Sequence, residues 1–252
     1  MIENPKLAML LRLGDSALVL SQRMSELCGK GPALEEDMSL ANTALDLLGQ
    51  ARLWLSYAAE VEGKGRDEDA LAYLRSEREF RNFLLVEQPN GNYADTMVRE
   101  FYFDAWHSLA LRELAKSADA RVAEIAAKSQ KEVTYHLRRS ADLMVRMGDG
   151  TEQSHRLTQR AVDALWPYTG EMFTADAVDE AVMAAGEGFD PAALRGEWLD
   201  YVAKVLAAAT LQMPPAGAWM QKGGRQGVHT EHLGYLLAEM QVLHRAHPGA
   251  KW

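Results

Sequence analysis

Only one cysteine, Cys28, occurs among the 252 residues, so the chain cannot form an internal disulfide and suits a reducing compartment. No stretch approaches the ~20 consecutive apolar residues of a membrane helix. The first residues also lack the basic segment and the following apolar segment of a signal peptide. We therefore expect a cytoplasmic protein without a membrane-bound segment.

Positive charge is in short supply as well. The chain has 27 Lys and Arg against 36 Asp and Glu, a formal net charge of −9, which argues against general binding of nucleic acid. A glycine-rich phosphate loop is missing, because residues 222–225 (Lys-Gly-Gly-Arg) match neither common nucleotide-binding pattern. The Gly-x-Ser-x-Gly turn of serine hydrolases is also absent. These absences turn attention to other kinds of site.

Alternating strand patterns are missing too, and helical periodicity dominates the sequence. With 48% hydrophobic residues the chain has ample material for a core. We predict an all-α four-helix bundle with additional shorter C-terminal helices, in a single domain over 1–252. The four long helices are predicted over 6–28, 34–61, 93–116 and 119–147. Shorter helices are predicted over 67–79, 190–212 and 230–244, with one more between an N-cap at Thr151 and a break at Trp166-Pro167.

The second long helix is apolar on two sides. One stripe comprises Met38, Ala41, Leu45, Leu48 and Leu55. The other comprises Leu40, Ala44, Leu47, Ala51, Trp54 and Ala58. A helix that is apolar on several faces is usually covered by neighbours on all of them. We therefore expect this helix to be central and both stripes to be buried.

Residues 131–136 (Lys-Glu-Val-Thr-Tyr-His) resemble half of a di-iron ligand set. Di-iron bundles take one acid from each of two helices and a Glu-x-x-His from each of the other two, because residues i and i+3 share a helix face. Here Val133 stands three residues before His136, and valine cannot coordinate iron. Leu47 and Gln50 have the same spacing on the second helix, and an amide is a poor replacement for imidazole. We predict that a di-iron centre does not assemble.

Asp104 is the inward acid candidate on the third long helix, within an aromatic run. A buried carboxylate without a partner is costly, so we expect Asp104 and His136 to interact directly or through water. His229 and His232 form a second cluster, but two imidazoles at i and i+3 do not match the His-Glu-x-x-His zinc pattern. Thr230-Glu231 between them is more simply a helix cap, and the sequence leaves the role of the two histidines open.

Four segments carry a resemblance to a known family. They are 11–15 (Leu-Arg-Leu-Gly-Asp), 44–52 (Ala-Leu-Asp-Leu-Leu-Gly-Gln-Ala-Arg), 86–92 (Val-Glu-Gln-Pro-Asn-Gly-Asn) and 227–234 (Gly-Val-His-Thr-Glu-His-Leu-Gly). In this order, and across nearly the whole chain, the sequence resembles the C subunits of ring 1,2-phenylacetyl-CoA epoxidase. The resemblance implies a ferritin-like fold and a non-catalytic subunit that pairs with a homologous catalytic A subunit.

The resemblance also implies where the cofactors of such an enzyme are held. The di-iron site is expected in the partner A subunit, which binds the acyl-CoA, and FAD and an iron–sulfur centre are expected in a reductase subunit. The complete enzyme inserts one oxygen atom of O2 into the aromatic ring of phenylacetyl-CoA with electrons from NADPH. No catalytic residue and no cofactor are implied for this chain.

The resemblance also implies which residues of this chain stand at the iron-ligand positions of the catalytic A subunit. That subunit has Asp-Glu-x-Gly-His and Lys-Glu-Glu-x-x-His where this chain has residues 46–50 and 131–136. Two Glu ligands thus correspond to Leu47 and Val133, and one His ligand corresponds to Gln50. The full set of degenerate ligand positions is Gln22, Leu47, Gln50, Asp104, Val133 and His136.

Three classes of function remain. The leading hypothesis is a structural subunit of the epoxidase in aerobic phenylacetate catabolism, bound to the A subunit and to further subunits; self-association of the isolated chain stays open. The alternative is an independent ferritin-like metal-binding oxidoreductase with a rearranged site built from Asp15, Glu26, Asp46, Asp104, Glu132 and His136. The third is an acyl-CoA-binding module in which Arg138-Arg139 and Lys222/Arg225 contact phosphates.

Overall fold

The computed structural model describes residues 4–250, and within them it contains α-helices and short 3-10 turns but no strand. The predicted all-α class is therefore confirmed. The helices are α1 (Pro5–Ser25), α2 (Leu34–Glu62), α3 (Glu68–Tyr73), α4 (Leu84–Glu87), α5 (Tyr93–Leu114), α6 (Ala120–Gly148), α7 (Glu152–Leu165), α8 (Ala177–Ala184), α9 (Arg195–Ala208) and α10 (Glu231–Ala246). The outermost residues of the predicted domain, 1–3 and 251–252, lie outside the described residues.

The described chain divides into two compact units. The first unit comprises residues up to Pro89 and from Gly223 onward, and the second comprises Asn90–Lys222. In the first unit α1 and α2 form a helical hairpin, α4 packs on α1, α3 packs on α2, and α10 packs on α3. In the second unit α5 and α6 form the hairpin, with α7 and α9 packed against both. The single domain over 1–252 stays a prediction.

Local capping explains why several helices begin and end where the sequence predicts. Helix α2 begins at Leu34 as expected and ends beside Gly63, whose φ of 68° is the left-handed conformation that glycine adopts at little cost. Asn92 and Asp95 form a reciprocal capping box at the start of α5. Asp119 accepts hydrogen bonds from two backbone N–H groups at the start of α6.

Two predicted helices are shorter than expected. The helix predicted over 67–79 ends at Tyr73, and a 3-10 turn, Glu77–Glu79, follows with a capping box between Ser76 and Glu79. The helix predicted over 190–212 starts at Arg195, because residues after Pro191 first form a 3-10 turn. In both places a local side-chain or proline constraint interrupts an otherwise helical pattern. Helices α4 and α8 were not predicted.

The two apolar stripes of α2 differ in burial. Leu40, Leu47 and Trp54, on one stripe, are fully buried as predicted. On the other stripe Met38 is 58% exposed and Leu45 is 65% exposed, so the expected burial of this stripe is wrong for most of its length. The described residues cover only one side of the helix there, and periodicity alone does not tell an internal neighbour from an external one.

Candidate functional site

The second unit holds a buried polar cluster between α5 and α6. Asp104 on α5 is fully buried, and its Oδ2 accepts a hydrogen bond from Ser140 Oγ on α6 at 2.8 Å. Its Oδ1 has no hydrogen-bond partner among residues 4–250. The interaction that we expect between Asp104 and His136, direct or through water, stays a prediction.

Burial dominates the protonation of Asp104. Desolvation, followed by the nearby charge of Glu100, raises the pKa of the Asp104 carboxyl well above its usual range. The Ser140 hydrogen bond and the charge of Arg139 act in the opposite direction but are smaller. Asp104 is thus held toward its neutral, protonated form, in which it is a poor ligand for a cation.

His107 and His136 are the imidazoles of this cluster, and both are buried. Burial first, and then the proximity of His136, lowers the pKa of His107 to about 3. Val133, one turn before His136, is also fully buried. A neutral His107, an Asp104 whose pKa is raised and an apolar Val133 supply too little negative charge for two iron ions.

The first unit contains the other predicted ligand positions. Leu47 and Gln50, one turn apart on α2, are almost completely buried, whereas Gln22 on α1 is partly exposed. An isobutyl group has no donor atom, and a carboxamide is neutral. The side chains at these positions therefore do not fit a di-iron centre either.

The rearranged metal site of the alternative hypothesis is not assembled. Residues 4–250 contain no group of three or more His, Cys, Asp or Glu side chains placed to hold a metal ion. Asp15 is fully buried and accepts from Arg75 Nη1 at 3.0 Å and from the Arg81 backbone N–H at 2.8 Å. Glu26 pairs with Arg23 at 2.9 Å. Two of the six expected ligands thus serve ion pairs of the first unit.

Two of the four basic residues proposed for phosphate contact have buried side chains. The Arg139 side chain is 9% exposed and its Nη1 lies 3.4 Å from the fully buried carboxylate of Glu100. Arg225 is 6% exposed, with its guanidinium 5.9 Å from the Phe83 ring centroid. Arg139 and Arg225 are thus engaged inside the chain, whereas Arg138 and Lys222 are exposed, and phosphate contact stays a hypothesis.

Glu87, a carboxylate of the first unit with several hydrogen bonds, was not singled out by the sequence analysis. It is fully buried at the end of α4. Its Oε1 accepts from the backbone N–H and the hydroxyl of Thr230, at 2.6 and 2.7 Å. Its Oε2 accepts from Asn82 Nδ2 at 2.9 Å and lies 2.8 Å from His229 Nδ1. Glu87 and His229 belong to two separate motifs, and a single sequence carries no signal that joins them.

This network assigns a structural role to the cluster at 229–232. Burial alone would lower the pKa of His229, but the hydrogen bond and charge of Glu87 and a bond to the Phe80 carbonyl raise it above its ordinary value. Both ring nitrogens are engaged, the second at 3.1 Å from Phe80 O, so His229 is not placed to bind a metal. Thr230 is the N-cap residue of α10, but its hydroxyl bonds Glu87 and makes no cap, which corrects that expectation.

Arg23 on α1 joins the same network through backbone carbonyls. Its Nε and Nη2 donate to Glu87 O at 3.1 and 2.7 Å, and Nη2 also donates to His232 O at 3.2 Å. Glu87 and His232, one from each of two motif segments, therefore meet at Arg23 of α1 within the first unit. These contacts hold helices of that unit together.

None of the helices in residues 4–250 is both long and apolar enough to cross a membrane.

Known proteins support the resemblance. Residues 2–252 match the family described as Phenylacetic acid catabolic protein, whose fold is ferritin-like, in agreement with the predicted fold class. The chain is 51% identical over 249 residues to the C subunit of the 1,2-phenylacetyl-CoA epoxidase of Escherichia coli (strain K12). That match covers 99% of this chain and 100% of the bacterial protein.

Proposed function

We propose, because the chain belongs to the family of phenylacetic acid catabolic proteins, that it is a subunit of an epoxidase acting on phenylacetyl-CoA. Within that enzyme the chain is a non-catalytic structural subunit, which pairs with a di-iron catalytic A subunit and stabilises it. Oxygen activation then belongs to the catalytic subunit, and electron delivery belongs to a reductase subunit with FAD and an iron–sulfur centre. We also propose a cytoplasmic location.

The burial of Leu47 and Val133 carries this proposal. Both occupy positions that the resemblance assigns to glutamate ligands, and both side chains are fully buried. A cluster of carboxylates without metal is destabilised by mutual repulsion and by desolvation. Replacing two of them with apolar side chains removes that cost and adds about 1.5–3 kcal/mol of hydrophobic stabilisation for each side chain. A bundle of this kind holds its shape without iron.

Iron content and activity test the proposal together. The chain is purified from iron-replete cells alone and with the catalytic subunit of the same organism, and iron is measured by elemental analysis. We expect far less than one iron per isolated chain, and phenylacetyl-CoA epoxidation by the catalytic subunit that depends on the presence of this chain. About two irons per isolated chain, the content of a di-iron protein, would overturn the proposal.

A pair of variants separates structural support from catalysis. Asp104→Asn and His136→Gln remove the acid and the imidazole that remain at the degenerate ligand positions of the second unit. In the assembled enzyme we expect both variants to keep the kcat of the unaltered complex, provided that thermal unfolding shows them folded. A large fall in kcat with unchanged assembly would show that these residues take part in the reaction.

Binding of the acyl-CoA is tested separately. Titration of the isolated chain with phenylacetyl-CoA is compared with titration of the complex, and we expect binding by the complex only. Saturable binding to the isolated chain would support the acyl-CoA-binding class in place of the structural one.

A further inference from the structure

The second unit contains a cavity of about 290 Å³ beside the start of α9. All of its lining residues fall within the range 90–222 of that unit. Three aromatic side chains line it, and we call Trp166, Phe173 and Trp198 the aromatic wall. Two cationic side chains, Arg195 and Lys222, also line it, and we call them the basic rim. The degenerate ligand positions do not contribute to this cavity.

The rings of the aromatic wall are held in place by the interior of the unit. The ring centroid of Trp198 lies 5.5 Å from that of Trp166 and 5.0 Å from that of Phe173. Trp198 Nε1 donates to the backbone oxygen of Tyr102 at 3.1 Å, so the polar edge of the indole already has its partner. All three rings are buried. A flat ring that enters the cavity therefore meets fixed apolar surfaces, which lowers the entropic cost of binding.

Residues 220–222 form another part of the lining. The Gln221 backbone N–H donates to Pro167 O at 2.7 Å. A Cβ added to Gly170 would lie only 2.6 Å from Met220 Cβ, so this close approach requires glycine at position 170. These two constraints hold the segment against the 3-10 turns that carry Trp166 and Phe173, and they bring Lys222 to the cavity.

The lining has an excess of positive charge. Arg195 and Lys222 are exposed, and neither side chain forms an ion pair within residues 4–250. Glu171 is the acid of the described lining, and it is buried. Two cations against one carboxylate leave one positive charge to be balanced. The whole chain has a net charge of −9, so the basic rim is a local exception on an acidic protein.

We propose that this cavity binds a small aromatic carboxylic acid as its monoanion. The ring lies against the aromatic wall, and the carboxylate lies between Arg195 and Lys222. A guanidinium presents two parallel N–H groups to a carboxylate, and an ammonium adds a further charge-assisted hydrogen bond. One bound carboxylate supplies the single negative charge that the lining lacks.

The size and the charge of the cavity narrow the class of ligand. Its volume lies at the lower end of the range for ligand sites, which suits a molecule of about ten non-hydrogen atoms and leaves no room for an acyl-CoA. The basic rim disfavours an aromatic cation, and the aromatic wall gives an inorganic anion nothing to pack against. A ring with one carboxylate satisfies both parts of the lining.

Calorimetric titration of the full chain with phenylacetate tests the site. Phenylacetate is small, aromatic and ionised at neutral pH, and we expect it to bind with a Kd below about 1 mM. Phenylacetamide has the same shape without the charge, and acetate has the charge without the ring. Each should bind at least about tenfold more weakly. Absence of saturable phenylacetate binding, or equal binding of either analogue, would overturn the proposal.

Variants of the basic rim test the position of the carboxylate. Arg195→Gln and Lys222→Gln should each raise the Kd for phenylacetate at least about fivefold, because each removes a charged donor. Lys204→Gln is the matched control, since Lys204 is exposed on the same helix as Arg195 but does not line the cavity. Binding that is unchanged in both rim variants, or weakened equally by the control, would contradict the assignment.

Filling the cavity tests the position of the ring without changing any charge. Leu199 lines the cavity and is half-buried. Leu199→Trp should abolish phenylacetate binding, whereas Leu199→Ala should retain it, with thermal unfolding used to show that both variants are folded. If Leu199→Trp does not fold, Met220→Trp fills the same cavity from the segment 220–222. A folded, filled variant that still binds as the unaltered chain does would place the ligand elsewhere.

A competition experiment separates this site from the proposed function. Phenylacetyl-CoA has no free carboxylate and is too large for the cavity, so it should not displace phenylacetate from the isolated chain. Displacement would overturn the aromatic-acid site in favour of an acyl-CoA site, while membership in an epoxidase would stand. Conversely, about two irons per isolated chain would overturn the structural role and leave this site unaffected.

Discussion

Glu87 and His229 form a buried ion pair in the first unit although 142 residues separate them in the sequence, with Oε2 and Nδ1 2.8 Å apart. Neither side chain is exposed to solvent. The remaining carboxylate oxygen accepts two hydrogen bonds from Thr230. Because the imidazolium has no access to water, its charge depends on the charge of Glu87.

Glu87→Gln should therefore destabilise the chain severely. Removal of one partner of a buried ion pair leaves the other charge uncompensated and typically costs about 3–5 kcal/mol. Urea unfolding at pH 6 measures the loss. Glu231→Gln, at an exposed position on the same segment, is the control and should change stability by less than about 0.5 kcal/mol.

The pH dependence of this loss has a definite sign. The pKa of His229 is raised in the folded state, so the pair contributes fully below the ordinary value of 6.5 and is lost as pH rises through the raised pKa. The difference in unfolding free energy between the unaltered chain and Glu87→Gln should shrink as the pH rises above the raised pKa of His229. A difference that grows with pH would contradict the charged pair.

The ends of α2 could be predicted from the sequence, whereas the contacts of Glu87 could not. Leu34 begins α2 and Gly63 follows its end, and these local signals are readable from neighbouring residues. Apart from the nearby Asn82, the partners of Glu87 come from α1 and from the chain before α10, and no local pattern joins such distant segments. Local chemistry is thus predictable from a single sequence, but pairing between distant segments is not.

Helix α3 shows a second limit of prediction from a single sequence. Residues 67–79 have a continuous helical pattern, yet α3 ends at Tyr73, and Arg75 just beyond it forms a buried ion pair with Asp15. The Ser76 and Glu79 capping box is a readable signal for that interruption. The buried ion pair beside it depends on Asp15 of α1 and is not visible in the local sequence.

Asp104→Asn should stabilise the folded chain near neutral pH. The pKa of Asp104 is raised by burial, so above its ordinary value of 3.8 the unfolded chain loses a proton that the folded chain keeps. Stability therefore falls as pH rises, and an asparagine removes that cost while keeping an acceptor for Ser140. We expect a gain of about 1–3 kcal/mol at pH 7 and almost none at pH 4, measured by urea unfolding.

Asp104→Leu is the control for that experiment. It removes the same titration but leaves the Ser140 hydroxyl without its acceptor, so it should be less stable than Asp104→Asn by roughly 1–3 kcal/mol at both pH values. An asparagine variant that loses stability at pH 7 would show that Asp104 is ionised in the folded chain.

His107→Phe should reduce sensitivity to acid. The pKa of His107 is about 3 in the folded chain and 6.5 ordinarily, so between these values the unfolded chain binds a proton that the folded chain does not. Stability then falls with decreasing pH by up to about 1.4 kcal/mol per pH unit from this residue. Phenylalanine keeps a ring against Phe103, whose ring centroid lies 4.9 Å away.

The slope of unfolding free energy between pH 6 and pH 4 measures this effect. The slope should be smaller in His107→Phe than in the unaltered chain. Equal slopes in the two proteins would show that His107 is protonated in the folded chain.

Val133→Glu recreates the Glu-x-x-His spacing with His136. It tests whether the side chains around position 133 can still bind a metal ion. Val133 is fully buried, so an ionised carboxylate there should cost at least about 3 kcal/mol at pH 7 and less at pH 4, where protonation relieves the charge. Val133→Gln, of the same shape but neutral, should show a cost that does not change with pH. Thermal unfolding of both variants with and without Fe²⁺ or Mn²⁺ completes the comparison.

Added metal should not rescue Val133→Glu. Two ligands from one helix turn provide too few donors and too little charge for a di-iron centre, and Asp104 in the same unit is held toward its neutral form. A saturable, metal-dependent rise in melting temperature, present in Val133→Glu and absent in Val133→Gln, would instead mean that the remaining ligands are still in place. In that case the absence of a glutamate at position 133 would by itself explain why no metal is bound. The presence of Leu47 and Gln50 at two other ligand positions would then need a separate explanation.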